Sequence, residues 1–99
     1  VFTSSSVGRE PRALWGAYSV SKVATEAMSK IFASENSYPN IRFNCINPGA
    51  TRTQMRASAY PSENPATVVD PAALMQVYVA LMCDEMAGVK GQVIDLQPK

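Results

Sequence analysis

The hydrophobic and polar positions along this chain predict three strands separated by two helices. Apolar, β-branched and aromatic residues cluster at 1–3, 41–46 and 92–96, and each cluster predicts a strand. Between the first two clusters, residues 16–35 carry apolar side chains at three- and four-residue spacing, which predicts a helix. Its apolar face consists of Val20, Ala24, Ala27, Met28 and Ile31.

The second helix has a visible start signal. Asp70 is suited to the N-cap, where a carboxylate accepts orphan backbone N–H groups, and Pro71 suits the first helical position. We expect this helix to bury four side chains: Leu74, Val77, Tyr78 and Leu81. The polar stretch before it, residues 51–69, predicts a mobile loop with Pro61 and Pro65.

A strand–helix–strand–helix–strand order predicts an α/β fold with a parallel sheet. Loops that follow parallel strands share one edge of the sheet, and ligands of open α/β sheets bind at that carboxyl edge. Here those loops are residues 4–15 and 47–69. Catalytic and ligand-binding residues are therefore expected in these two loops.

Composition excludes several function classes. The 99 residues suit one domain at most, and a net charge of +1 provides no electrostatic footprint for nucleic acid or an anionic membrane. No apolar run is long enough to span a bilayer. Without histidine, and with Cys45 and Cys83 outside any metal-ligand spacing, the chain contains no zinc site and no Ser-His or Cys-His system. Two free thiols in a reducing cytosol are expected.

Tyr18 and Lys22 form the first candidate for chemistry. Their four-residue spacing places both side chains on one helix face, about one turn apart. A free phenol titrates near pH ~10, but a neighbouring ammonium and a helix N-terminus both favour the phenolate. The pair could then act as a general acid or base. Taken alone, however, the same spacing more often means a solvated lysine beside a half-buried ring.

The two predicted loops add hydroxyl groups at the ligand edge. Ser5 lies thirteen residues before Tyr18 and could donate to a carbonyl oxygen that the phenol protonates, although a turn serine is the plainer interpretation. In the second loop, Pro48-Gly49 permits close backbone approach, and the hydroxyls of Thr51 and Thr53 could bind an amide or phosphate.

The joint pattern resembles the second half of the short-chain dehydrogenase/reductase (SDR) family. The resemblance covers essentially the whole chain. The amino-acid sequence from Asn47 to Pro61 is similar to that of a bacterial YciK-like subgroup. It rests on the order and spacing of Ser5, Tyr18-Ser19-Val20-Ser21-Lys22, Asn44, Pro48-Gly49 and Thr53.

The resemblance implies a fold, a reaction and a role for each matched residue. The chain would be the carboxyl-terminal part, residues 1–99, of a single doubly wound Rossmann-type domain, without the glycine-rich dinucleotide-binding half. Tyr18 would be the catalytic acid/base, Ser5 would polarise the substrate carbonyl, and Lys22 would assist Tyr18 and hold the nicotinamide ribose. The remaining cofactor-binding residues would be Pro48, Gly49, Thr51 and Thr53.

The implied reaction is reversible hydride transfer between NAD(P)H and a small-molecule carbonyl or alcohol, with NADP favoured over NAD. The implied whole protein is a cytoplasmic homo-oligomer, a dimer or tetramer, that engages neither nucleic acid nor membrane. The segment from Asp95 to Lys99 departs from the family's usual Asp-Gly-Gly ending.

Two alternatives to an oxidoreductase stay open at this point. An epimerase or isomerase of the extended SDR branch shares Tyr-x-x-x-Lys, and an inactive fragment or interaction module is a different class. We expect the 99 residues alone to lack activity and to associate through the strand edge at residues 1–4. Arg52 and Arg56 either recognise an acidic substrate or are solvated surface arginines.

Overall fold

The computed structural model describes residues 1–97; Pro98 and Lys99 of the predicted terminal segment lie outside the described residues. Three short 3₁₀ turns at Pro65–Thr67, Pro71–Leu74 and Asp84–Met86 accompany the strands and α-helices. In chain order the strands and α-helices are β1 (Phe2–Thr3), α1 (Ser6–Arg9), α2 (Gly16–Glu35), β2 (Cys45–Asn47), α3 (Gln54–Ala59), α4 (Met75–Leu81) and β3 (Val93–Asp95).

The sheet is parallel with the strand order β1–β2–β3, which confirms the predicted α/β class and the partial Rossmann-type sheet. Strand β2 is central, with Cys45 opposite Phe2 on one side and Val93 on the other. Cys45 and Ile46 are fully buried in this central strand. Because the three strands run in the same direction, their carboxyl ends meet at one edge, as expected.

Helix α2 has the predicted bounds but packs through a different face. Its apolar face is uncovered: Val20, Met28 and Ile31 are 70%, 38% and 53% exposed. The side chains that it buries are small or polar instead: Ser19, Glu26 and Ser29. Part of its packing is aromatic, since Phe32 contacts the rings of Phe2 and Phe43. Within residues 1–97 no helix is both long enough and apolar enough to cross a membrane.

The second predicted helix begins as expected and then divides. The Asp70 carboxylate accepts a hydrogen bond from the Ala72 amide at 3.0 Å, as the N-cap assignment requires. Residues 71–74 form a 3₁₀ turn before α4 continues. Leu74 and Leu81 are buried, whereas the other two predicted core residues, Val77 and Tyr78, are only half-buried.

Several segments that were predicted as loops contain short helices, and the strands are shorter than predicted. Helix α1 lies within the first loop, and α3 lies within the polar stretch 51–69. The Thr53 hydroxyl oxygen accepts from the Arg56 amide at 3.2 Å and so starts α3. Strand β2 begins only at Cys45, which is paired with Phe2 of β1. Residues 41–44 precede the paired residues of β2.

Candidate active site

The predicted site residues lie in the segments that follow β1 and β2, as the topology requires. Ser5 comes two residues after β1, and its backbone, in an extended conformation, caps α1. Pro48 and Gly49 follow directly after β2. Both segments therefore lie at the carboxyl edge of the sheet, which is the ligand edge of α/β folds.

Tyr18 and Lys22 lie close together in the first turns of α2. The Lys22 ammonium is 5.6 Å from the centre of the Tyr18 ring, and the same ammonium donates a hydrogen bond to the Thr3 carbonyl at 3.1 Å. This second contact ties the lysine to the carboxyl end of β1. The Tyr18 hydroxyl has no hydrogen-bond partner among residues 1–97 and is half-exposed. The phenol is thus held beside a cation with its oxygen uncommitted.

The structure distinguishes the three consecutive serines. Ser4 is buried, and its hydroxyl donates to the Glu26 carboxylate at 2.5 Å, so its role is structural. Ser6 is the first residue of α1. The Ser5 hydroxyl makes no hydrogen bond within the described part of the chain, to Tyr18 or to any other residue. The structure therefore commits the Ser4 hydroxyl to the fold and leaves that of Ser5, the serine matched by the family pattern, without a hydrogen bond.

Helix α1 lies against α2 at Gly8 with almost no free space. A Cβ at Gly8 would lie 2.6 Å from the Glu26 carboxylate and 2.9 Å from the Lys22 Cβ. The Ser19 hydroxyl donates to the Val7 carbonyl at 2.6 Å at the same junction. The lysine that accompanies Tyr18 therefore depends on a glycine in the neighbouring helix for its position.

The Asn47–Ala50 turn is held by β3 and by the residues that follow it. The Asn47 amide group donates to Asp95 at 3.0 Å, and its oxygen accepts from the Gly49 amide at 3.2 Å. Gly49 has a φ of +77°, which favours glycine. A Cβ there would lie 2.9 Å from the Gln97 side-chain nitrogen. The side chain that closely approaches Gly49 is therefore Gln97, and the role of Gly49 towards a cofactor stays a prediction.

Thr51 and Thr53 are both involved in the local fold. The Thr51 hydroxyl donates to the Gly49 carbonyl at 3.0 Å, and Thr51 pairs with Val69 in a single parallel bridge. This bridge closes the base of the segment that contains α3. The Thr53 oxygen caps α3, which leaves its hydroxyl hydrogen free to donate elsewhere.

The two arginines of this segment are paired with carboxylates, and Arg52 remains an exposed surface arginine while Arg56 is half-buried. Arg56 donates twice to Glu63, at 2.9 and 2.7 Å, in a bidentate ion pair. Those hydrogen bonds hold the pKa of Glu63 below its usual range and raise the pKa of Arg56. Arg52 lies 3.3 Å from the Asp70 carboxylate. The bidentate Arg56–Glu63 pair holds the segment to itself, and the exposed Arg52–Asp70 pair links it to the helical turn that follows.

A row of aromatic rings connects this segment to Tyr18. Trp15 lies 5.8 Å from Tyr18 and 6.5 Å from Tyr60, between ring centres. The Arg56 guanidinium stacks 3.9 Å from the centre of the Tyr60 ring. Leu14, which precedes Trp15, has a φ of +73°, an uncommon conformation for a residue with a side chain. The row places apolar surface beside the candidate acid/base.

An ion pair joins α1, which follows the three serines, to the end of β3. Arg9, the last residue of α1, lies 2.6 Å from the Asp95 carboxylate at the end of β3. The hydrogen bond to Asp95 raises the pKa of Arg9. Because Asp95 also accepts from Asn47, one carboxylate connects all three segments of the ligand edge.

Comparison with known proteins agrees with this geometry. The family model described as short chain dehydrogenase matches residues 1–64. This chain belongs to the short-chain dehydrogenase family. The chain is 53% identical over 98 residues to the oxidoreductase YciK of Escherichia coli K12, with 99% of the chain and 38% of YciK covered.

Two solved short-chain dehydrogenases are similar over nearly the whole chain. The crystal structure of YciK from E. coli superposes with a TM-score of 0.92 at 52% identity, covering 98% of this chain and 39% of that protein. A short-chain dehydrogenase of E. coli CFT073 in complex with NADPH gives the same TM-score and identity, with 98% and 40% covered. The resemblance to the family and to its YciK-like subgroup is thereby confirmed. The chain spans well under half the length of these relatives.

Sequence reasoning missed the residues that hold this short-chain dehydrogenase site in place. Glu26 follows Lys22 by one helical turn, a spacing that gives a detectable signal, but a surface ion pair would be its ordinary interpretation. Gln97 and Arg9 carry no spacing signal, because their partners are distant in the sequence. The catalytic and cofactor-binding roles of the matched residues stay predictions.

Proposed function

We propose that this chain is the catalytic segment of an NAD(P)-dependent oxidoreductase that transfers hydride reversibly between the nicotinamide and a carbonyl or alcohol. In this proposal the dinucleotide-binding half is contributed by sequence other than these 99 residues. The observation that carries the proposal is the Lys22 ammonium 5.6 Å from the Tyr18 ring, with the Tyr18 hydroxyl uncommitted. Family membership supports it independently.

The roles follow from the chemistry of each group. During reduction the Tyr18 hydroxyl would donate its proton to the carbonyl oxygen, and during alcohol oxidation the phenolate would take a proton back. The Lys22 ammonium would stabilise the phenolate by its charge. The Ser5 hydroxyl would donate to the same carbonyl oxygen and hold it near the phenol.

The residues at the edge of the sheet fit a nicotinamide cofactor. The Lys22 ammonium has three N–H donors, and the Thr3 carbonyl uses one, which leaves donors for ribose hydroxyls. Pro48, Gly49, Thr51 and Thr53 would line the nicotinamide. A bound nicotinamide would supply or accept the hydride. We infer a preference for NADP, supported by the related protein from E. coli CFT073 that was crystallised with NADPH.

The whole protein is proposed to be a cytoplasmic homo-oligomer that acts on a small molecule. The exposed apolar face of α2, which includes Val20, Met28 and Ile31, supports association, because apolar patches on a monomer usually mark contacts. Size-exclusion chromatography with light scattering on the whole protein tests this part. A monomer at all accessible concentrations would contradict it.

The catalytic proposal is tested by removing one hydroxyl from the whole protein that carries these residues. We expect the Tyr18→Phe variant to lose nearly all NADPH-dependent reduction of a panel of aldehydes and ketones while it still binds NADPH. The Tyr38→Phe variant is the matched control, since Tyr38 is 67% exposed and lies beyond the end of α2. Wild-type turnover by Tyr18→Phe would refute the assignment.

A further inference from the structure

We infer that Gln97 is a positioning residue that fixes the Pro48–Ala50 turn for the nicotinamide. The inference rests on the proposed function and adds to it a residue outside the matched motifs. Its side-chain nitrogen donates to two carbonyls of the turn, to Pro48 at 2.8 Å and to Ala50 at 2.7 Å. Both hydrogens of one amide group are therefore used on either side of Gly49.

The contact is close as well as polar. A Cβ on Gly49 would lie 2.9 Å from the Gln97 nitrogen and 3.1 Å from its Cβ and Cδ. The Gln97 side chain thus packs against the bare Cα of Gly49, which has a φ of +77°. A turn with this φ needs glycine, and glycine allows several conformations, so a second restraint is required to select one. Asn47 and Thr51 restrain the amide and carbonyl of Gly49 itself, and Gln97 adds the restraint on the two neighbouring carbonyls.

The rest of the turn is held from the same direction. The Leu96 amide donates to the Asn47 carbonyl at 3.0 Å, and the Asn47 side chain donates to Asp95. Residues 95–97 therefore hold both the last residue of β2, Asn47, and the turn that follows it. Among these contacts the Gln97 amide is the one that reaches the Pro-Gly-Ala part proposed to meet the nicotinamide. Its loss should loosen that part without changing the strands.

The expected consequence is a change in cofactor affinity more than in the chemical step. If only a fraction of molecules hold the binding conformation, the apparent dissociation constant equals the intrinsic constant divided by that fraction. Gln97→Met keeps the length of the side chain and removes both hydrogen bonds. We expect NADPH to bind about tenfold more weakly, because part of the free energy of the two lost hydrogen bonds is recovered when the loosened turn exposes its carbonyls to water. The KM for NADPH should rise with it, while kcat changes much less.

A second variant separates positioning from a role in packing. Gln97→Glu has nearly the same shape, but its carboxylate would face two carbonyl oxygens, so we expect weaker binding than for Gln97→Met near neutral pH. As the pH falls and the carboxyl protonates, one donor returns, and NADPH affinity relative to wild type should partly recover. A purely steric role would give no such dependence on pH.

The experiment titrates NADPH into the whole protein and follows nicotinamide fluorescence, with kcat and KM measured in parallel. Gln92→Met is the matched control, because the Gln92 side chain donates to Lys90 at the opposite end of β3. Weak binding by both Gln97 variants, with Gln92→Met unchanged, supports the inference. Wild-type affinity in Gln97→Met or Gln97→Glu overturns it. Failure of the wild-type protein to bind NADPH overturns instead the proposed function, and the inference with it.

Discussion

Replacement of Gly8 by alanine tests the junction that positions Lys22. The added methyl would lie 2.6 Å from both the Glu26 carboxylate and the Ser4 hydroxyl, and 2.9 Å from the Lys22 Cβ. The Glu26 and Ser4 oxygens are joined by a 2.5 Å hydrogen bond, which would have to break for them to move apart. The Lys22 Cβ cannot move unless its backbone moves with it. Helices α1 and α2 would have to separate.

Two opposing terms set the size of the effect. Overpacking of this kind costs about 1–3 kcal/mol, and weakening a buried hydrogen bond to a charged group costs about as much again. Alanine in place of glycine in a helix returns about 0.5–1 kcal/mol. We therefore expect Gly8→Ala to lower the free energy of unfolding by roughly 1–5 kcal/mol and to weaken NADPH binding through Lys22.

Urea unfolding of the whole protein measures this change, with Gly88→Ala as the control. A Cβ at Gly88 meets no atom within 4 Å, so that variant should be neutral or slightly stabilised. If Gly8→Ala unfolded at the same urea concentration as Gly88→Ala, the close packing of α1 on α2 would be wrong.

Two further predictions concern burial and pH. Burial raises the pKa of the Cys45 thiol. In the native protein iodoacetamide should therefore modify Cys83 and spare Cys45 until denaturant is added. Equal labelling of the two cysteines would contradict the burial of the central strand. The hydrogen bond from Arg56 lowers the pKa of Glu63. The ion pair therefore stabilises the fold at pH values above the ordinary glutamate pKa, and this stabilisation is lost as the pH falls through the lowered pKa. Thermal melts of Glu63→Gln should therefore lose stability near neutral pH and converge on wild type in acid; a constant difference would refute this.

The sequence predicted those parts of the fold that depend on local pattern. Helix α2 has its predicted bounds, and Asp70 caps the next helical segment, because helix periodicity and capping are encoded within a few residues. The parallel sheet and its ligand edge followed from the alternation of elements. The spacing of Tyr18 and Lys22 likewise required only a helix for the two side chains to meet.

The parts that escaped prediction depend on partners that are distant in the sequence. Periodicity indicated that Val20, Met28 and Ile31 form a face, but it could not show that α1 would instead pack on Ser19 and Glu26. The lengths of β1 and β2 depend on their mutual register.

The site escaped prediction in the same way wherever long-range contacts fix it. The pairing of Arg56 with Glu63 required a turn that no motif marks. Gln97 interacts with a turn 47–49 residues earlier, beyond the reach of any spacing argument.

The central claim is that the Lys22 ammonium enables the Tyr18 phenol to exchange a proton with the substrate. Its most direct test is the pH dependence of alcohol oxidation by the whole protein with Lys22→Met, compared with wild type and with Lys30→Met, an exposed lysine on the same helix. The account predicts slow turnover for Lys22→Met that recovers towards alkaline pH, where the phenol ionises unaided, and a wild-type profile for Lys30→Met. A Lys22→Met enzyme with the wild-type rate and pH profile would contradict it.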